Sequence, residues 1–140
     1  MNVIENNAGI QKRRNKIFGG IMLINLSNHP SCTWSQLQRA EALKYGDIVD
    51  VSFPKVRAEA SEEEIAAMAE EMVEIVLRFH EPVVMVQGEF TLTYAIVERL
   101  KKAGIQTVAS CTDREVEIIT KDNGVTEKRS LFKFVRFREY

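Results

Sequence analysis

The sequence predicts an α/β fold: a Rossmann-like, mostly parallel sheet with helices on both faces and a C-terminal β-hairpin. Short apolar runs, typical of strands buried on both faces, alternate with segments in which apolar residues recur at helical spacing. After the fourth strand, the alternation of strand and helix patterns ends. Asp122-Asn123-Gly124 then separates the strand-like segments Glu115–Thr120 and Arg129–Phe137, which indicates a hairpin. Right-handed crossovers between the parallel strands give an expected strand order of 2-1-3-4.

The first half of the chain has clear boundaries for two strands and one helix. Leu23–Leu26 is nearly all apolar and is the first predicted strand. Ser35-Gln36-Leu37-Gln38 fits a capping box, in which the Ser and Gln side chains satisfy free main-chain N–H groups, so helix one is expected to start at Ser35. Tyr45-Gly46 closes this helix, and strand two, Asp47–Phe53, ends at the following proline.

The second half continues the same alternation. Ser61 opens helix two with another capping box, and three glutamates follow it at the positive end of the helix dipole. Strand three is Pro82–Val86. Helix three then runs from Phe90 to Ala103 with Gly104 as its stop, and strand four is Ile105–Ala109.

Composition and charge narrow the function classes. Residues 22–140 are expected to form one domain, since 45% of the chain is apolar and 28% is charged. A net charge of −1 argues against long nucleic acid as a partner, because such binders carry a basic excess. No apolar run approaches the ~20 residues that span a bilayer and no signal peptide is visible, so a cytoplasmic protein without membrane contact is expected. Residues 1–21 are Asn-rich and basic and are predicted to be a flexible extension, with a nucleic-acid-binding segment as the alternative.

No cofactor and no metal ion are expected. Cys32, Cys111, His29 and His80 lack the spacing of a zinc site, and a disulfide is not expected in the cytoplasm. The chain has neither a GxGxxG motif nor a Gly-Lys-Ser/Thr triplet, so ATP hydrolysis of the P-loop type is not expected either.

Polar residues follow three predicted strands whose carboxyl ends meet at one edge of the sheet. Ligands of open parallel sheets bind at this edge, where the strand order reverses. Three loops, Ser27–Trp34, Gln87–Thr93 and Ser110–Arg114, are therefore expected to form a ligand site. The candidate ligand-binding residues in these loops are Ser27, Asn28, His29, Ser31, Gly88, Glu89, Thr91, Thr93, Ser110, Thr112 and Arg114.

The start of helix three is the candidate phosphate site. Gly88 lets the main chain approach a ligand closely, in a left-handed geometry that other residues disfavour, and free N–H groups at a helix start suit an anion. Thr91 and Thr93 add hydroxyl groups. Taken alone, an ordinary strand-to-helix turn with capping threonines explains these residues equally well.

Three further residues have both a functional and a structural interpretation. Glu89 suits a ribose hydroxyl or a catalytic base, or simply the positive end of the helix dipole. His29 is the candidate catalytic residue because imidazole titrates near neutral pH, but contact with a polar ligand is favoured over catalysis. Trp34 could stack on a base, although a hydrophobic staple for helix one is the favoured interpretation.

Helix three is apolar nearly all round in its first half. Phe90, Leu92, Tyr94 and Ile96 cannot all face the sheet. The surplus apolar surface predicts a homodimer interface, which would place two copies of the site across a two-fold axis.

The motifs taken together resemble a known group of proteins. The resemblance rests on five segments: Leu23–Ser31, Trp34-Ser35, Gly88–Thr93, Ala109–Arg114 and the ending Phe137–Tyr140. They are similar to segments of small stand-alone CRISPR-associated proteins of type III systems, over residues 22–140. The resemblance implies a Rossmann-like fold and a cyclic oligoadenylate ligand, with cyclic tetra-adenylate as the favoured ring. A two-fold symmetric ring would sit across a homodimer, and assembly beyond the dimer is left open.

The resemblance implies either sequestration or cleavage of this ring. Proteins of this class hold the ring, lowering its free level and damping type III signalling, or cleave it without metal through the ribose 2′-hydroxyl. Since Arg114 is the only base placed by the three loops, sequestration is the favoured function. A slow ring nuclease is the first alternative, and a nucleotide or nucleoside hydrolase that uses Glu89 is the second. The expected roles are ribose or base contact for Ser27, Asn28, His29 and Ser31, phosphate contact for Gly88, Thr91 and Thr93, and closure of the rim for Ser110, Thr112 and Arg114.

Overall fold

The computed structural model of this protein describes residues 21–140, in which strands and helices alternate as far as the fourth strand. The elements are β1 (Met22–Ser27), α1 (Gln36–Leu43), β2 (Asp47–Ser52), α2 (Glu62–Val76), β3 (Val83–Gln87), α3 (Phe90–Lys102), β4 (Thr107–Thr120) and β5 (Thr126–Glu139). A 3-10 turn, Ser31–Thr33, lies between β1 and α1. The predicted flexible extension, apart from Ile21, lies outside the described residues.

The strands form a five-stranded sheet in the order β2-β1-β3-β4-β5. β1 pairs in parallel with both β2 and β3, β3 pairs in parallel with β4, and β4 pairs antiparallel with β5. The predicted order 2-1-3-4 and the C-terminal antiparallel pair are confirmed. The strand order reverses between β1 and β3, which is where an open parallel sheet of this kind forms a crevice.

Helices cover both faces of the sheet, as the continuous apolar strands predict. On one face α2 and α3 pack against β1 and β3, in a core that includes Ile24, Val73 and Ile96. On the other face α1 packs in a second core that includes Leu23 and Ala42. Residues that alternate along one strand belong to opposite cores, so each central strand contributes side chains to both layers.

Both predicted serine caps are confirmed. The hydroxyl of Ser35 accepts a hydrogen bond from the Gln38 main-chain N–H at 3.2 Å, and that of Ser61 accepts one from Glu64 N–H at 3.2 Å. The reciprocal half of the capping box is replaced in α1, because the Gln38 side chain donates to the Ser110 hydroxyl at 3.4 Å. A side chain predicted to cap its own helix therefore reaches across to β4.

The predicted loop Ser110–Arg114 is wrong, because β4 continues without interruption from Thr107 to Thr120. Its polar residues are compatible with a strand since each of them has a partner on β5. Strand four and the first strand of the hairpin are therefore one element.

A β-bulge lies in this antiparallel pair, where the register shifts between Cys111 and Thr112. Thr112 lies opposite Phe134 and Cys111 lies opposite Arg136, so Val135 is the extra residue. The bulge places Phe134 and Phe137 in the same core, with ring centroids 5.0 Å apart.

Beyond the bulge β4 and β5 extend past β3 as a two-stranded ribbon, here called the arm (Thr112–Thr120 and Thr126–Phe134). Pairing places two sets of side chains on opposite faces of the arm. The inner face carries Thr112, Arg114, Val116, Ile118, Thr120, Thr126, Lys128, Ser130, Phe132 and Phe134. The outer face carries Asp113, Glu115, Glu117, Ile119, Glu127, Arg129, Leu131 and Lys133. Of the inner set only Phe134 is buried.

The C-terminal residue fastens β5 to the parallel part of the sheet. The Tyr140 hydroxyl donates to the main-chain oxygen of Val86 at 2.6 Å, and Lys101 Nζ donates to the Tyr140 main-chain oxygen at 2.8 Å. Burial, and secondarily the charge of Cys111, raise the pKa of Tyr140. The base of the antiparallel pair is thus held, while the arm projects.

No helix within residues 21–140 has both the length and the apolar character needed to cross a bilayer.

Candidate functional site

A cavity of about 620 Å³ opens on the α1 face of the sheet, beside the carboxyl ends of β1 and β3. Its volume is in the range of small-molecule binding sites, which is roughly 300–1,000 Å³. The residues that line it are His29, Thr33, Trp34, Ser35, Gln38, Met85, Gln87, Ser110, Thr112, Phe132 and Phe134.

The walls of the cavity combine aromatic rings with uncharged polar groups. Trp34, Phe132 and Phe134 supply the rings, while Gln38 and Gln87 supply amides. Within residues 21–140, no carboxylate lines the cavity, and no group of three or more His, Cys, Asp or Glu side chains is placed to hold a metal ion. This lining suits a ligand with flat rings and many hydrogen-bonding atoms.

A buried amide organises the loop that follows β1. Asn25 is 1% exposed, and its Nδ2 donates to the His29 main-chain oxygen at 2.8 Å and to Asp50 Oδ1 at 2.9 Å. Its Oδ1 accepts the Ser27 hydroxyl at 2.6 Å, and Trp34 Nε1 also donates to the His29 oxygen at 3.1 Å. The His29 main-chain oxygen is therefore held by two side chains, Asn25 on β1 and Trp34 just before α1.

Asp50 on β2 holds the next part of the same loop. Its carboxylate accepts hydrogen bonds from the Ser31 hydroxyl at 3.0 Å and from the Ser31 main-chain N–H at 3.2 Å. Arg39 Nη1 donates to the Ser31 main-chain oxygen at 2.7 Å. Ser31 is thus used to fasten the loop and does not line the cavity.

Gln87 joins β3 to β4 beside the cavity. Its Nε2 donates to the Ser110 main-chain oxygen at 3.2 Å, and its Oε1 accepts the Ser110 N–H at 3.1 Å. The regular pairing of these two strands ends at Met85 and Val108, so the amide takes over where the main-chain ladder stops. This contact sets the position of Ser110 in the cavity wall.

Among the described residues that line the cavity, His29 carries an imidazole. His29 is exposed, and its hydrogen bonds to described residues all use its main chain. A fixed main chain with a free imidazole is a suitable arrangement for ligand contact or proton transfer.

The start of α3 lies outside the cavity lining, and its donors already have an acceptor. The Glu89 carboxylate accepts the N–H groups of Leu92 at 2.8 Å and Thr91 at 3.1 Å, and also the Thr91 hydroxyl. The Leu92 N–H most strongly, with the hydroxyl and N–H of Thr91, lowers the pKa of Glu89. The N–H groups proposed for phosphate are therefore not free, while the buried Thr93 hydroxyl has no partner among the described residues.

Gly88 is required by packing and not by a left-handed conformation. Its φ lies outside the left-handed region, contrary to the prediction. A Cβ at this position would lie 2.4 Å from Cε1 of Phe53, whose ring is buried. The glycine leaves room for this ring under the strand-to-helix turn.

The predicted site residues are divided among three places. His29, Ser110 and Thr112 line the cavity, and Arg114 lies beyond them on the inner face of the arm. Ser27 is buried in the Asn25 network and Asn28 is exposed without lining the cavity. The third group, Gly88, Glu89, Thr91 and Thr93, forms the turn into α3.

The structure adds cavity residues that the sequence analysis missed. Gln38, Gln87 and Phe132 line the cavity without having been proposed. Trp34 belongs to the same core as Ala42 of α1 and lies near Phe137, with ring centroids 6.3 Å apart, but the staple contact itself is not made because the fourth helical position is Arg39. A polar residue that ends an apolar strand, as Gln87 does, was the available signal.

The exposed aromatic residues of α3 agree with the prediction of surplus apolar surface. Phe90 is 89% exposed and Tyr94 is 70% exposed, whereas Leu92 and Ile96 are fully buried against the sheet. The homodimer itself stays a prediction.

Comparison with known proteins gives one family. No curated protein and no solved structure matches the chain. A family model described as "Uncharacterized protein MJ1673 family" matches residues 21–138, which contain all of β1 to β4 and nearly all of β5. The fold and the cavity described above therefore lie within the matched region, and the chain belongs to the uncharacterized protein MJ1673 family.

Proposed function

We propose that this protein binds a cyclic oligoadenylate, cyclic tetra-adenylate, across a homodimer in the cytoplasm and lowers its free level, damping type III CRISPR signalling. The observation that carries the proposal is the cavity, which joins aromatic rings to amide and hydroxyl groups at the crevice of a Rossmann-like sheet. The resemblance of the β1 loop, the α3 turn and the β4 segment to CRISPR-associated proteins supplies the ligand class.

The cavity chemistry fits adenylate units. Adenine rings stack on aromatic side chains and use amide groups for hydrogen bonds to their edges. Phe132 offers an exposed ring surface, and Gln38 has an amide that bonds only weakly, at 3.4 Å, to Ser110. A ligand that stacked there could recruit this amide.

Cavity size favours a shared ligand. A ring of four nucleotides is larger than the drug-sized molecules that cavities of roughly 300–1,000 Å³ hold. Two cavities of about 620 Å³ each, related by a two-fold axis, would each take half of a two-fold symmetric ring.

Sequestration is favoured over rapid cleavage because, among the described residues, the cavity wall that contains His29 holds no cation. Phosphodiester cleavage needs preorganised positive or donor groups where charge develops on the phosphate. Among the described residues, no lysine or arginine lines the cavity. The hydrolase alternative is also disfavoured, because Glu89 lies outside the cavity and its carboxylate caps α3.

Slow metal-independent cleavage is the second candidate, and His29 is the observation in its favour. In this step the ribose 2′-oxygen bonds to the adjacent phosphorus and the bond from phosphorus to the 5′-oxygen breaks. His29 would accept the hydroxyl proton, and solvent would protonate the leaving oxygen. The products are a 2′,3′-cyclic phosphate and a 5′-hydroxyl.

Binding and turnover measured on the same variants separate these functions. Labelled rings of three, four, five and six adenylates are titrated into the full chain, and linear products are followed by chromatography. For a binding protein, His29→Ala weakens affinity by about 1–2 kcal/mol, the cost of a lost hydrogen bond. For a nuclease it lowers turnover by about 10²–10⁴-fold with affinity nearly kept.

Controls make the result specific to the cavity. Cys32→Ser changes an exposed side chain of the same loop that does not line the cavity, and should leave binding unchanged. Absence of binding to every ring would reject the proposal. Light scattering that gives a monomer with and without the ring would reject the shared-ligand arrangement.

A further inference from the structure

The inner face of the arm continues the wall of the cavity. Phe132 and Thr112 belong to both surfaces, and Arg114 lies directly opposite Phe132 in the register. Since opposite residues of an antiparallel pair share one face, the Arg114 side chain lies on the cavity side of the arm. Phe132 is 70% exposed, so its ring is available to a ligand that leaves the cavity.

The two faces of the arm differ in charge. The inner face carries the cations Arg114 and Lys128 and no carboxylate. The outer face pairs opposite charges across the strands, with Asp113 opposite Lys133 and Glu117 opposite Arg129. The outer face still carries four carboxylates against two cations and is net negative, whereas the inner face carries only cations and suits an anion.

Neither inner cation has an ion-pair partner among the described residues. Arg114 Nη2 donates to the Ser130 hydroxyl at 3.1 Å, which orients the guanidinium along this face and leaves its charge unneutralised. Lys128 lies opposite Ile118, four residues beyond Arg114 along β4. At ~3.3 Å per residue this is about 13 Å, so the two cations would meet different phosphates.

We propose that the inner face of the arm is the second wall of the ligand site: Arg114 and Lys128 bind phosphate groups, and Phe132 stacks on a base. The inference rests on the proposed function for the nature of the ligand, an oligoadenylate. Aromatic platforms beside cations are the usual means of binding single-stranded nucleotides. The exposed inner residues Val116 and Ile118 provide the apolar surface over which the sugars and bases lie.

The arm supplies its own matched controls, because neighbouring residues of similar chemical type lie on opposite faces. Lys128→Ala is compared with Arg129→Ala, and Phe132→Ala with Leu131→Ala, in the full chain with labelled cyclic tetra-adenylate. Each inner variant should weaken binding roughly tenfold, the effect of a charge-assisted contact or of one stacked base. Each outer variant should change affinity less than about twofold, because surface substitutions have small effects.

Salt dependence and rescue test the assigned roles. Removing one phosphate-binding cation should reduce the slope of log affinity against log salt by about one, and Arg129→Ala should not. Lys128→Arg and Phe132→Trp should restore affinity to within about threefold, since charge and stacking are kept. Unchanged urea midpoints for all variants would show that the arm still forms.

The outcomes distinguish this inference from the proposed function. If the wild type binds the ring and inner and outer variants bind it equally, the arm inference is overturned and the proposed function stands. Phe132→Ala could also abolish a dimer and reduce ring binding only in proportion to the loss of dimer. In that case the inner face is a contact for a second copy and the inference is overturned. If the wild type binds no ring, the variants are titrated with linear tetra-adenylate instead. Equal affinity of the inner-face and outer-face variants for this probe, or no binding at all, overturns the inference as well.

Discussion

The parallel part of the sheet and the arm consist of strands of one sheet, yet they are stabilised differently. Ile24 in β1 is fully buried between helices, whereas Ile118 in the arm is 63% exposed. The parallel strands bury side chains on both faces, and the arm beyond Phe134 is held by cross-strand pairing alone within the described residues. An isolated two-stranded ribbon is only marginally stable in water, so the arm depends on its continuity with the sheet.

This difference predicts that side chains of the parallel sheet determine the stability of the fold, whereas side chains of the arm are free to serve binding. Substitutions in the parallel sheet change the free energy of unfolding because they leave cavities or unpaired groups. Substitutions at exposed positions of the arm should leave that free energy nearly unchanged, because the side chains there bury little surface. The following experiments test this division, beginning with the largest expected effect.

The same substitution at two isoleucines gives the sharpest test. Ile24→Ala should destabilise the protein by about 2–5 kcal/mol, because it removes buried methyl groups and leaves a cavity. Ile118→Ala should cost less than about 0.5 kcal/mol, as an exposed substitution does. Urea unfolding at two protein concentrations measures both. A large cost for Ile118→Ala that appears only at the higher concentration would show that a second copy buries the arm.

Loss of a polar partner should also matter more in the sheet than in the arm. Asn25→Ala leaves the Ser27 hydroxyl, the His29 oxygen and the Asp50 carboxylate without their shared partner, and should cost about 3 kcal/mol. Ser130→Ala removes an exposed partner of Arg114 and should cost less than about 0.5 kcal/mol, as exposed substitutions usually do. Unfolding curves give both values. Equal costs would contradict the division.

Two glycines separate a packing requirement from a conformational one. Gly88→Ala places a methyl group against the buried Phe53 ring and should cost about 2 kcal/mol through overpacking. Gly124→Ala meets no atom within 4 Å, and only its positive φ of 80° opposes the change, so about 1 kcal/mol is expected. Adding Phe53→Leu should recover part of the Gly88→Ala cost. No recovery in this double-mutant cycle would mean that Phe53 is not the obstacle.

The smallest effect is a pH dependence at the start of α3. Hydrogen bonds from Leu92 and Thr91 lower the pKa of Glu89 below its usual 4.5, so the ionised form stabilises the fold. This contribution is fully present above pH 4.5 and is lost as the pH falls through the lowered value. Glu89→Gln should cost about 1 kcal/mol or less at pH 7, because the site is exposed and screened, and nothing at low pH. Glu117→Gln, on the outer face of the arm, is the control for loss of a carboxylate, and thermal unfolding from pH 3 to 7 gives the comparison.

The sequence was sufficient for the sheet because the local signals and the tertiary structure agree there. Apolar runs coincide with β1 and β3, and Ser35 and Ser61 cap the helices that they were predicted to start. In β4 they disagree. Ser110 to Arg114 have the composition of a loop, but pairing with a distant strand decides their conformation.

The candidate site was only partly predictable for a similar reason. A strand-to-helix turn shows a glycine and hydroxyl residues whether its N–H groups are free or capped, and only the structure shows Glu89 capping them. The role of Asn25 depends on Asp50 of β2, which is distant in the sequence, and on the His29 main-chain oxygen in the loop after β1. Neither contact can be read from the sequence of the strand itself. Alternation of Asn25 and Ser27 in an apolar strand was a usable signal for a polar cluster on one face.

The single extra residue in β5 has a consequence for how the arm can change in length. Side chains alternate between the two faces of a strand, so the extra residue Val135 determines which residues of β5 face the cavity. It puts Phe132 on the same face as Arg114. Removing equal numbers of residues from both strands at the tip would preserve the phase of this alternation. Deleting Asp113 from β4 would invert the phase of that strand beyond Thr112 and turn Glu115 and Glu117 toward the cavity face. Relatives of this chain should therefore vary in arm length through paired insertions or deletions at the hairpin end.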